Sequence, residues 1–391
     1  MASSTTITAS EPRIAGALQA PESTRLMSLD IFRGLTIALM ILVNDPGNWR
    51  AIYAPLEHSE WNGWTPTDLV FPFFVFIVGV ALAFSFASRI GRGETRGKLA
   101  RHIVWRGIVL FALGVFLNGF PDHYDPSHLR IYGVLQRIAI CYVVTAILEL
   151  WTEWRAQLAI ACACLLGYWL LVRYVPVPGF GVPTHGFPLL DPNRNIVAWL
   201  DRKLLMGHLY EVTRDPEGLL STIPAIASCL AGLLTGKWLR SARSAQVKAM
   251  GMAVAGLVLA ALGQTWHLWF PINKKMWTSS FVLLTSGLAL VLLALFYWLA
   301  DIKRFRKGWT KPVEVFGKNA IAAYVLSEAL AALFYTIHVS TKTTLGGFLY
   351  TSVFAPLAGP RNASLLYALA YVGFCWLVMA VLYRKNIFLK I

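Results

Sequence analysis

Charged residues are scarce in this chain. Only 14% of its 391 residues are Asp, Glu, Lys or Arg, whereas 57% are hydrophobic. A soluble protein of this length could not hide so much apolar surface while carrying so few charges. The composition therefore excludes a soluble globular protein and a disordered protein, and it indicates a polytopic membrane protein.

Cysteine is also scarce, and the common motifs of soluble enzymes are missing. Five cysteines are too few for a disulfide scaffold, and all five lie in apolar segments, where thiols act as small hydrophobic side chains. We therefore predict no metal site. The sequence has no Walker loop, GxSxG, HExxH or Rossmann fingerprint. It also lacks an internal repeat of the kind that marks many transporters.

Apolar segments of about 20 residues can span a bilayer as helices. This rule predicts an all-α polytopic membrane protein with about ten transmembrane helices, at residues 26–43, 68–88, 103–117, 132–151, 156–174, 219–236, 249–269, 277–300, 313–335 and 365–383. Residues 1–24 are predicted to be a disordered cytoplasmic tail, and residues 25–391 a single transmembrane domain with a long outer loop at 175–218. Within that loop, Asn195 is expected to begin a short amphipathic helix on the membrane surface.

Basic residues outside these spans are unevenly distributed. Twenty Lys and Arg residues lie in the N-terminal tail, the even-numbered connections and the C-terminus, against ten in the odd-numbered connections. The positive-inside rule therefore predicts that both termini are cytoplasmic. Because the net charge of +15 comes mostly from these connections, we expect no nucleic-acid partner.

Some polar side chains lie inside predicted spans, where such groups usually face the bundle interior or a wet cavity. Asp30 and Arg33 are three residues apart on one helix face, and they could form either an internal salt bridge or part of a site. The ninth span is rich in small residues, which favours close packing and a central position. The other polar residues within spans are Gln136, Arg137, Lys318, Asn319 and Glu328.

The connection between the first two spans holds the densest group of polar residues. Thr65, Pro66 and Asp68 match a capping box with proline at the first helical position, which gives Asp68 a structural role. His58 has no such role, and it lies near Trp61 among polar neighbours at the membrane edge. It is either a hydrogen-bonded surface residue or a group for proton transfer or nucleophilic attack.

A series of distinctive segments runs along the chain. They are RLMSLDIFRG (25–34), VN (43–44), HSEWNG (58–63), DLVFPFFVFI (68–77), GVLQRI (133–138), DPEG (215–218), PINKKMWTSS (271–280), GKN (317–319) and YRKNIFLKI (383–391). Together they resemble the heparan-α-glucosaminide N-acetyltransferase family of transmembrane acyltransferases, whose bacterial members are often labelled N-acetylglucosamine-related membrane proteins. The resemblance covers nearly all of residues 25–391.

This resemblance implies acetyl transfer from cytoplasmic acetyl-CoA to the amine of a glucosamine-type sugar on the outer side of the membrane. The family's active histidine corresponds to His58 and its neighbouring asparagine to Asn44. With Asp68, these residues form the predicted catalytic group. His58 either attacks the thioester to give an acetyl-histidine or deprotonates the amine for direct transfer, and we favour direct transfer. Asn44 would hydrogen-bond the thioester oxyanion or orient His58.

The resemblance also suggests where the substrates bind. Cations near the inner end of the bundle are expected to hold the phosphates of acetyl-CoA, with solvated positive-inside charge as the alternative. The expected acetyl-CoA-binding residues are Arg33, Lys318, Asn319, Arg384 and Lys385. The residues expected to contact the sugar are Trp61, Asn62, Gln136, Arg137, Asn273, Lys274 and Glu328.

The expected partners are a small-molecule amino sugar and membrane lipids, and a homodimer is left open. The expected location is a bacterial inner membrane, with the His58 loop facing the periplasm. The alternative function is an amino-sugar transporter for glucosamine or N-acetylglucosamine, with Asp30, Glu328 or His58 as proton sites. The missing repeat and the elaborate outer loops favour the enzyme.

Overall fold

The computed structural model describes residues 26–305 and 308–389, and within these ranges the regular secondary structure is almost entirely helical. The predicted tail at 1–24 lies outside the described residues. The long helices are α1 (Met27–Asn44), α2 (Val70–Gly91), α3 (Arg96–Gly119), α4 (Val134–Trp151), α5 (Trp154–Tyr174), α7 (Thr222–Arg240), α8 (Ala245–Trp266), α9 (Ser279–Phe296), α11 (Ala320–Thr336) and α13 (Pro360–Arg384).

The remaining elements are short. They are two 3₁₀ turns (Ala54–Leu56 and Pro66–Leu69), α6 (Ile196–Leu205), a π-helical turn after α9 (Tyr297–Ile302), α10 (Thr310–Lys318), a two-stranded hairpin of β1 (His338–Ser340) and β2 (Thr343–Thr344), α12 (Leu345–Leu349) and a second π-helical turn (Tyr350–Phe354). The hairpin contains the only named strands within the described residues.

The membrane-spanning architecture predicted from hydropathy is confirmed. Nine helices of the described ranges are long and apolar enough to cross a bilayer, or ten if one bent pair counts as a single span. Side-chain capping marks several of their starts: Thr95 accepts the backbone N–H of Lys98 before α3, and Ser244 accepts that of Val247 before α8. The cap at Thr95 lets α3 begin several residues before the predicted span, within the basic segment.

The predicted ninth span is not one continuous helix. It is divided between α10 and α11, which are bent by 81° relative to each other. The break falls at Asn319, whose φ of −122° and ψ of 37° lie outside helical values. Gly317 packs so tightly on α1 that a Cβ atom there would lie 2.2 Å from the Asp30 carbonyl oxygen. The prediction of a single helix over 313–335 was therefore wrong.

The centre of the bundle depends on close contact between α2 and α7. A Cβ atom on Gly79 would lie 1.9 Å from the carbonyl oxygen of Cys229, and one on Gly232 would lie 2.0 Å from that of Phe76. Small residues thus let the two backbones approach each other, as is common in membrane proteins. By contrast, Leu257 and Leu262 on α8 are exposed and face away from the protein, as lipid-facing side chains do.

The short helix predicted in the long outer loop is present as α6. Asn195 accepts the backbone N–H of Ala198 at 2.8 Å and caps this helix. Ile196 and Val197 are buried in a cluster with Tyr168 at the end of α5. The apolar side of α6 therefore covers protein at this point.

The order of the helices defines two ends of the bundle. At the His58 end, α1 and α11 finish while α2 and α13 begin. At the Lys318 end, α1 begins and α10 and α13 finish.

Candidate active site

Asp68 lies in the 3₁₀ turn that leads into α2, and its side chain is fully buried. One of its carboxylate oxygens, Oδ2, accepts hydrogen bonds from the backbone N–H groups of Ser59 and Thr65, both at 3.0 Å. The capping box predicted from the sequence is therefore present. The other oxygen, Oδ1, is left to face a second partner.

That second partner is His58. Its Nδ1 atom lies 2.8 Å from Asp68 Oδ1, and because a carboxylate can only accept, Nδ1 carries the proton. In this tautomer Nε2 carries the lone pair, and Lys274 Nζ lies 3.4 Å from it. The His58 side chain is 40% exposed while that of Asp68 is 1% exposed, so a buried acid orients an accessible imidazole. A histidine oriented in this way can accept a proton or attack a carbonyl group.

The fold also brings Lys274 to this pair. Its Nζ lies 3.0 Å from His58 Nδ1 and 3.5 Å from Asp68 Oδ1. Burial lowers the pKa of Lys274, while the charges of Asp68 and Glu217 act in the opposite direction. The Lys274 ammonium favours the ionised form of Asp68, and that form in turn holds the proton on His58 Nδ1.

Two asparagines join the His58 loop to the loop that carries Lys274. The Asn273 side-chain amide donates to Asn62 Oδ1 at 3.2 Å, and Gly63 N–H donates to the Ile272 carbonyl at 2.8 Å. Asn273 Oδ1 accepts the Met276 N–H at 2.9 Å, and Asn273 itself is fully buried. In this arrangement Asn273 holds the loop in place, while Asn62 is exposed.

Trp61 connects the His58 loop to the long outer loop. Its indole N–H donates to the Leu190 carbonyl at 2.7 Å, and the Arg214 guanidinium lies 4.4 Å from the centre of its ring. Both contacts restrict the loop next to His58. Trp61 therefore helps to hold the His58 loop in place, and its contact with the sugar stays a prediction.

A second polar group at the His58 end joins α1 to α11. The Asn44 side chain hydrogen-bonds Glu328, and the adjacent Asp45 is buried and interacts electrostatically with the same acid. Burial, followed by the charge of Glu328, raises the pKa of Asp45 to about 8. The structure thus places the predicted residues Asn44 and Glu328 in direct contact.

Gln136 and Arg137 lie deeper in the protein than the sequence led us to expect. Both are buried, and the Arg137 guanidinium donates to the Gly218 carbonyl and to Ser221 and lies 4.9 Å from the centre of the Trp277 ring. These contacts connect α4 to the start of α7 and to the Lys274 loop. Arg137 therefore stabilises the Lys274 loop from the protein interior, where its described partners lie.

The five residues predicted to bind acetyl-CoA come together at the Lys318 end. Arg33 lies 3.4 Å from Asp30 and donates to the Gly317 carbonyl at 3.3 Å, next to Lys318. Lys318 donates to the Tyr383 hydroxyl at 3.0 Å, and Arg384 and Lys385 follow that tyrosine as exposed residues.

Asn319, the fifth of these residues, has a different role in the described structure. Its amide nitrogen donates to the Ile387 carbonyl at 3.0 Å, and its oxygen accepts the Leu389 N–H at 3.2 Å. Asn319 thus fastens the segment after α13 to the break between α10 and α11. Direct contact between Asn319 and acetyl-CoA stays a prediction.

Comparison with known proteins now identifies the family. Residues 25–271 match the family model described as heparan-alpha-glucosaminide N-acetyltransferase, catalytic. The chain belongs to this family. Heparan-alpha-glucosaminide N-acetyltransferase from Homo sapiens is 32% identical over 368 residues, which cover 79% of this chain and 54% of the human protein. The Mus musculus protein of the same name is 32% identical over 371 residues, with 80% and 54% coverage. The chain thus spans about half the length of these curated relatives.

The match to the N-acetyltransferase family confirms the resemblance seen in the sequence. The matched range contains Asn44, His58 and Asp68, whereas Lys274, Lys318 and Glu328 lie beyond it. Lys274 meets the matched part at His58 and Glu328 meets it at Asn44, whereas Lys318 contacts Tyr383, which also lies beyond the matched range.

Sequence reasoning missed an ion-pair network in this chain. Arg130 donates to Asp215 at 2.8 and 2.9 Å and to Glu217 at 2.6 Å. Burial would raise the pKa of Asp215, but Arg130 holds it below its usual range. The charge of Glu217 also acts on Lys274, and that of Arg130 acts on Glu328. The network therefore lies between the polar group around His58 and the polar group around Glu328. The DPEG segment at 215–218 was the available signal, but nothing in the sequence pointed to its partner.

Proposed function

We propose that this chain is a transmembrane N-acetyltransferase that moves an acetyl group from acetyl-CoA to the amine of a glucosamine-type sugar. The observation that carries the proposal is the contact between Asp68 and His58, in which a buried acid orients a 40% exposed imidazole so that Nε2 can act as a base. Membership of the N-acetyltransferase family supports the same reaction class. A transporter is less well supported, because this histidine is oriented as a catalytic base would be.

Direct transfer needs one base and one leaving group. The amine nitrogen attacks the thioester carbonyl, a C–N bond forms, the C–S bond breaks, and CoA leaves as its thiol. His58 Nε2 takes the proton that the nitrogen loses and then gives it to the departing sulfur, so that CoA leaves as its thiol and the imidazole is neutral again. The products are the N-acetyl sugar and CoA, so all atoms are accounted for without an acetyl-enzyme. Asn44 can donate a hydrogen bond to the developing oxyanion from the end of α1.

The separation of the two ends suits this route. Arg33 and Asn44 are both on α1, eleven residues apart, which corresponds to about 17 Å at 1.5 Å per residue. This is less than the ~30 Å thickness of the hydrocarbon layer. An extended pantetheine arm whose phosphates rest near Arg33 and Lys318 can therefore present its thioester toward the His58 end.

The proposal includes a direction across the membrane. With the Lys318 end in the cytoplasm and the His58 end outside, acetyl-CoA and sugar approach from opposite sides, and a bacterial inner membrane with a periplasmic His58 loop would satisfy this. Cysteine introduced at Glu60 should react with an impermeant maleimide in intact cells, whereas cysteine at Lys98 should react only after permeabilisation. Both residues are exposed, so equal labelling in intact cells would contradict the orientation.

The reaction itself can be tested with purified protein, acetyl-labelled acetyl-CoA and a panel of amino sugars. We expect labelled N-acetyl sugar and CoA thiol in equal amounts, with no label on protein incubated without sugar. Acetylated His58 in that incubation would support the covalent route instead. Uptake of glucosamine into proteoliposomes without release of CoA thiol would overturn the transferase proposal and support the transporter.

A further inference from the structure

A cavity lies at the His58 end, outside the cluster of His58, Asp68 and Lys274. Its volume is about 270 Å³, and it lies between the ends of α1 and α11 and the start of α13. Pockets for drug-sized ligands measure about 300–1,000 Å³, so this volume suits a smaller molecule such as a monosaccharide. Trp49 and Tyr335 at its edge are 55% and 51% exposed, which shows that the cavity reaches the protein surface.

Aromatic rings form much of the wall. Tyr367 and Tyr371 are buried, with ring centres 6.4 Å apart and planes only 16° apart. At the edge, the Trp49 indole N–H donates to the Tyr335 hydroxyl at 2.9 Å, which holds the two rings together. Aromatic faces carry partial negative charge and attract the polarised C–H groups of a sugar ring as well as an ammonium group.

A buried acid, Asp45, lines the cavity, and an ammonium group that enters would favour its ionised form. Asp45 is only 7% exposed, and no residue of the described ranges donates a hydrogen bond or an ion pair to its side chain. Buried polar groups normally have a partner, and a charged donor is the strongest partner for a carboxylate. Glu328 adds negative charge next to Asp45, whereas Arg50 contributes a positive charge at the exposed edge.

We propose that this cavity is the acceptor subsite, in which Asp45 binds the ammonium group of the amino sugar and the aromatic wall packs against the sugar ring. This inference rests on the proposed function. Asp45 directly follows Asn44, so the subsite borders the contact between Asn44 and Glu328. The bound ammonium group gives one proton to Asp45 before the neutral amine attacks, and the acetylated product carries no positive charge, so it loses its attraction to Asp45 and leaves the cavity.

Equilibrium binding to the full-length purified protein, without acetyl-CoA, tests this subsite. Isothermal titration should show glucosamine binding about ten- to a hundredfold more tightly than glucose or N-acetylglucosamine, which is the effect of one charge-assisted contact. Asp45→Asn should reduce the affinity for glucosamine to that for glucose. Trp49→Ala should weaken all three sugars, and the exposed acid variant Glu60→Gln should change none.

An unchanged glucosamine affinity in a folded Asp45→Asn protein would overturn the subsite. If that variant does not fold, unchanged binding of all three sugars to Trp49→Ala overturns it instead, since Trp49 is at the exposed edge.

The binding and transfer assays separate the subsite from the reaction. His58→Ala should bind glucosamine like the wild type and yet fail to acetylate it. Wild-type protein that binds glucosamine through Asp45 but never acetylates it would overturn the proposed function and leave the subsite standing. Normal acetylation by Asp45→Asn with an unchanged KM for glucosamine would overturn the subsite and leave the proposed function standing.

Discussion

The two ends of the bundle handle their ionisable side chains in different ways. At the His58 end, acids and bases contact each other: His58 and Lys274 share Asp68, and Arg130 bridges Asp215 and Glu217. At the Lys318 end, Arg33 also pairs with Asp30, but Lys318 and Asn319 contact neutral partners. Lys318 donates to the Tyr383 hydroxyl and lies 4.6 Å from the centre of its ring, and Asn319 donates to a backbone carbonyl.

This difference indicates different tasks. Ion pairs at the His58 end hold side chains in fixed positions and set which atoms carry protons, as proton transfer requires. A cation that contacts only a hydroxyl and an aromatic ring keeps its charge available for an anion. The comparison therefore predicts that mutations at the His58 end change the rate of the chemical step, whereas those at the Lys318 end change the affinity for acetyl-CoA.

The largest expected effect follows from His58→Ala. Loss of the base should reduce kcat by ~10²–10⁴, the usual contribution of a positioned general base, with little change in thermal stability because the side chain is 40% exposed. Steady-state acetyl transfer and a thermal melt measure the two quantities. His123→Ala is the matched control, since His123 also contacts an acid but is highly exposed in another loop. Near-normal turnover in His58→Ala would remove His58 from the chemistry.

Asp68→Asn should have the next largest effect, because Asp68 positions His58. An amide in its place allows the imidazole to adopt the other tautomer. The same replacement in a serine-protease catalytic triad lowers kcat by about 10⁴. Here we expect a loss of roughly tenfold to a thousandfold. KM values should change little.

Asp68 has a second role as a helix cap, and Thr65→Ala separates the two roles. This variant removes the Thr65 hydroxyl from the capping box but leaves the contact between His58 and Asp68. It should cost about 0.5–2 kcal/mol of stability while kcat stays near normal. A fall in kcat in Thr65→Ala as large as that in Asp68→Asn would assign the effect of Asp68 to the cap.

Lys318→Gln tests the other end of the bundle. If Lys318 contacts an acetyl-CoA phosphate, its loss removes a charge-assisted contact of roughly 1.5–3 kcal/mol and raises the KM for acetyl-CoA about ten- to a hundredfold. The KM for the sugar and kcat should stay near the wild-type values. The control is Lys98→Gln, an exposed lysine predicted to lie on the same side of the membrane. An equal KM for acetyl-CoA in Lys318→Gln and Lys98→Gln would indicate that Lys318 is only solvated positive charge.

The sequence predicted the local features of this protein well and the long-range contacts poorly. Hydropathy located the spans, and the Thr65 to Asp68 spacing located a cap, because both depend on neighbouring residues. The contact of Lys274 with His58 joins residues 216 positions apart, and that of Arg130 with Asp215 joins the loop before α4 to the long outer loop across 85 positions. The bend at Asn319 also escaped prediction, because it depends on contacts with the segment after α13.

Asp45 marks a local exception to the ion pairing at the His58 end, since its neighbour Glu328 is a second acid. Its pKa is about 8 in the folded protein against an ordinary value of 3.8. A carboxyl group with a raised pKa holds its proton more tightly in the folded state, so its contribution to stability is greatest below pH 3.8 and is lost as the pH rises to about 8.

Asp45→Asn, which replaces the acid by a neutral side chain of the same shape, should therefore flatten the dependence of Tm on pH. Between pH 6 and pH 9 the wild-type Tm should fall further than that of the variant, and at pH 9 the variant should be the more stable protein. The gain is expected to be a few degrees, since each kcal/mol recovered corresponds to about 2–4 °C in a large domain. Glu328 and Arg50 stay in place in both proteins, and Glu60→Gln shows the effect of removing an exposed acid. Tm curves of wild type and Asp45→Asn that stay parallel as the pH changes would contradict the raised pKa of Asp45. They would mean that a cationic group of the protein itself stabilises the ionised form of Asp45.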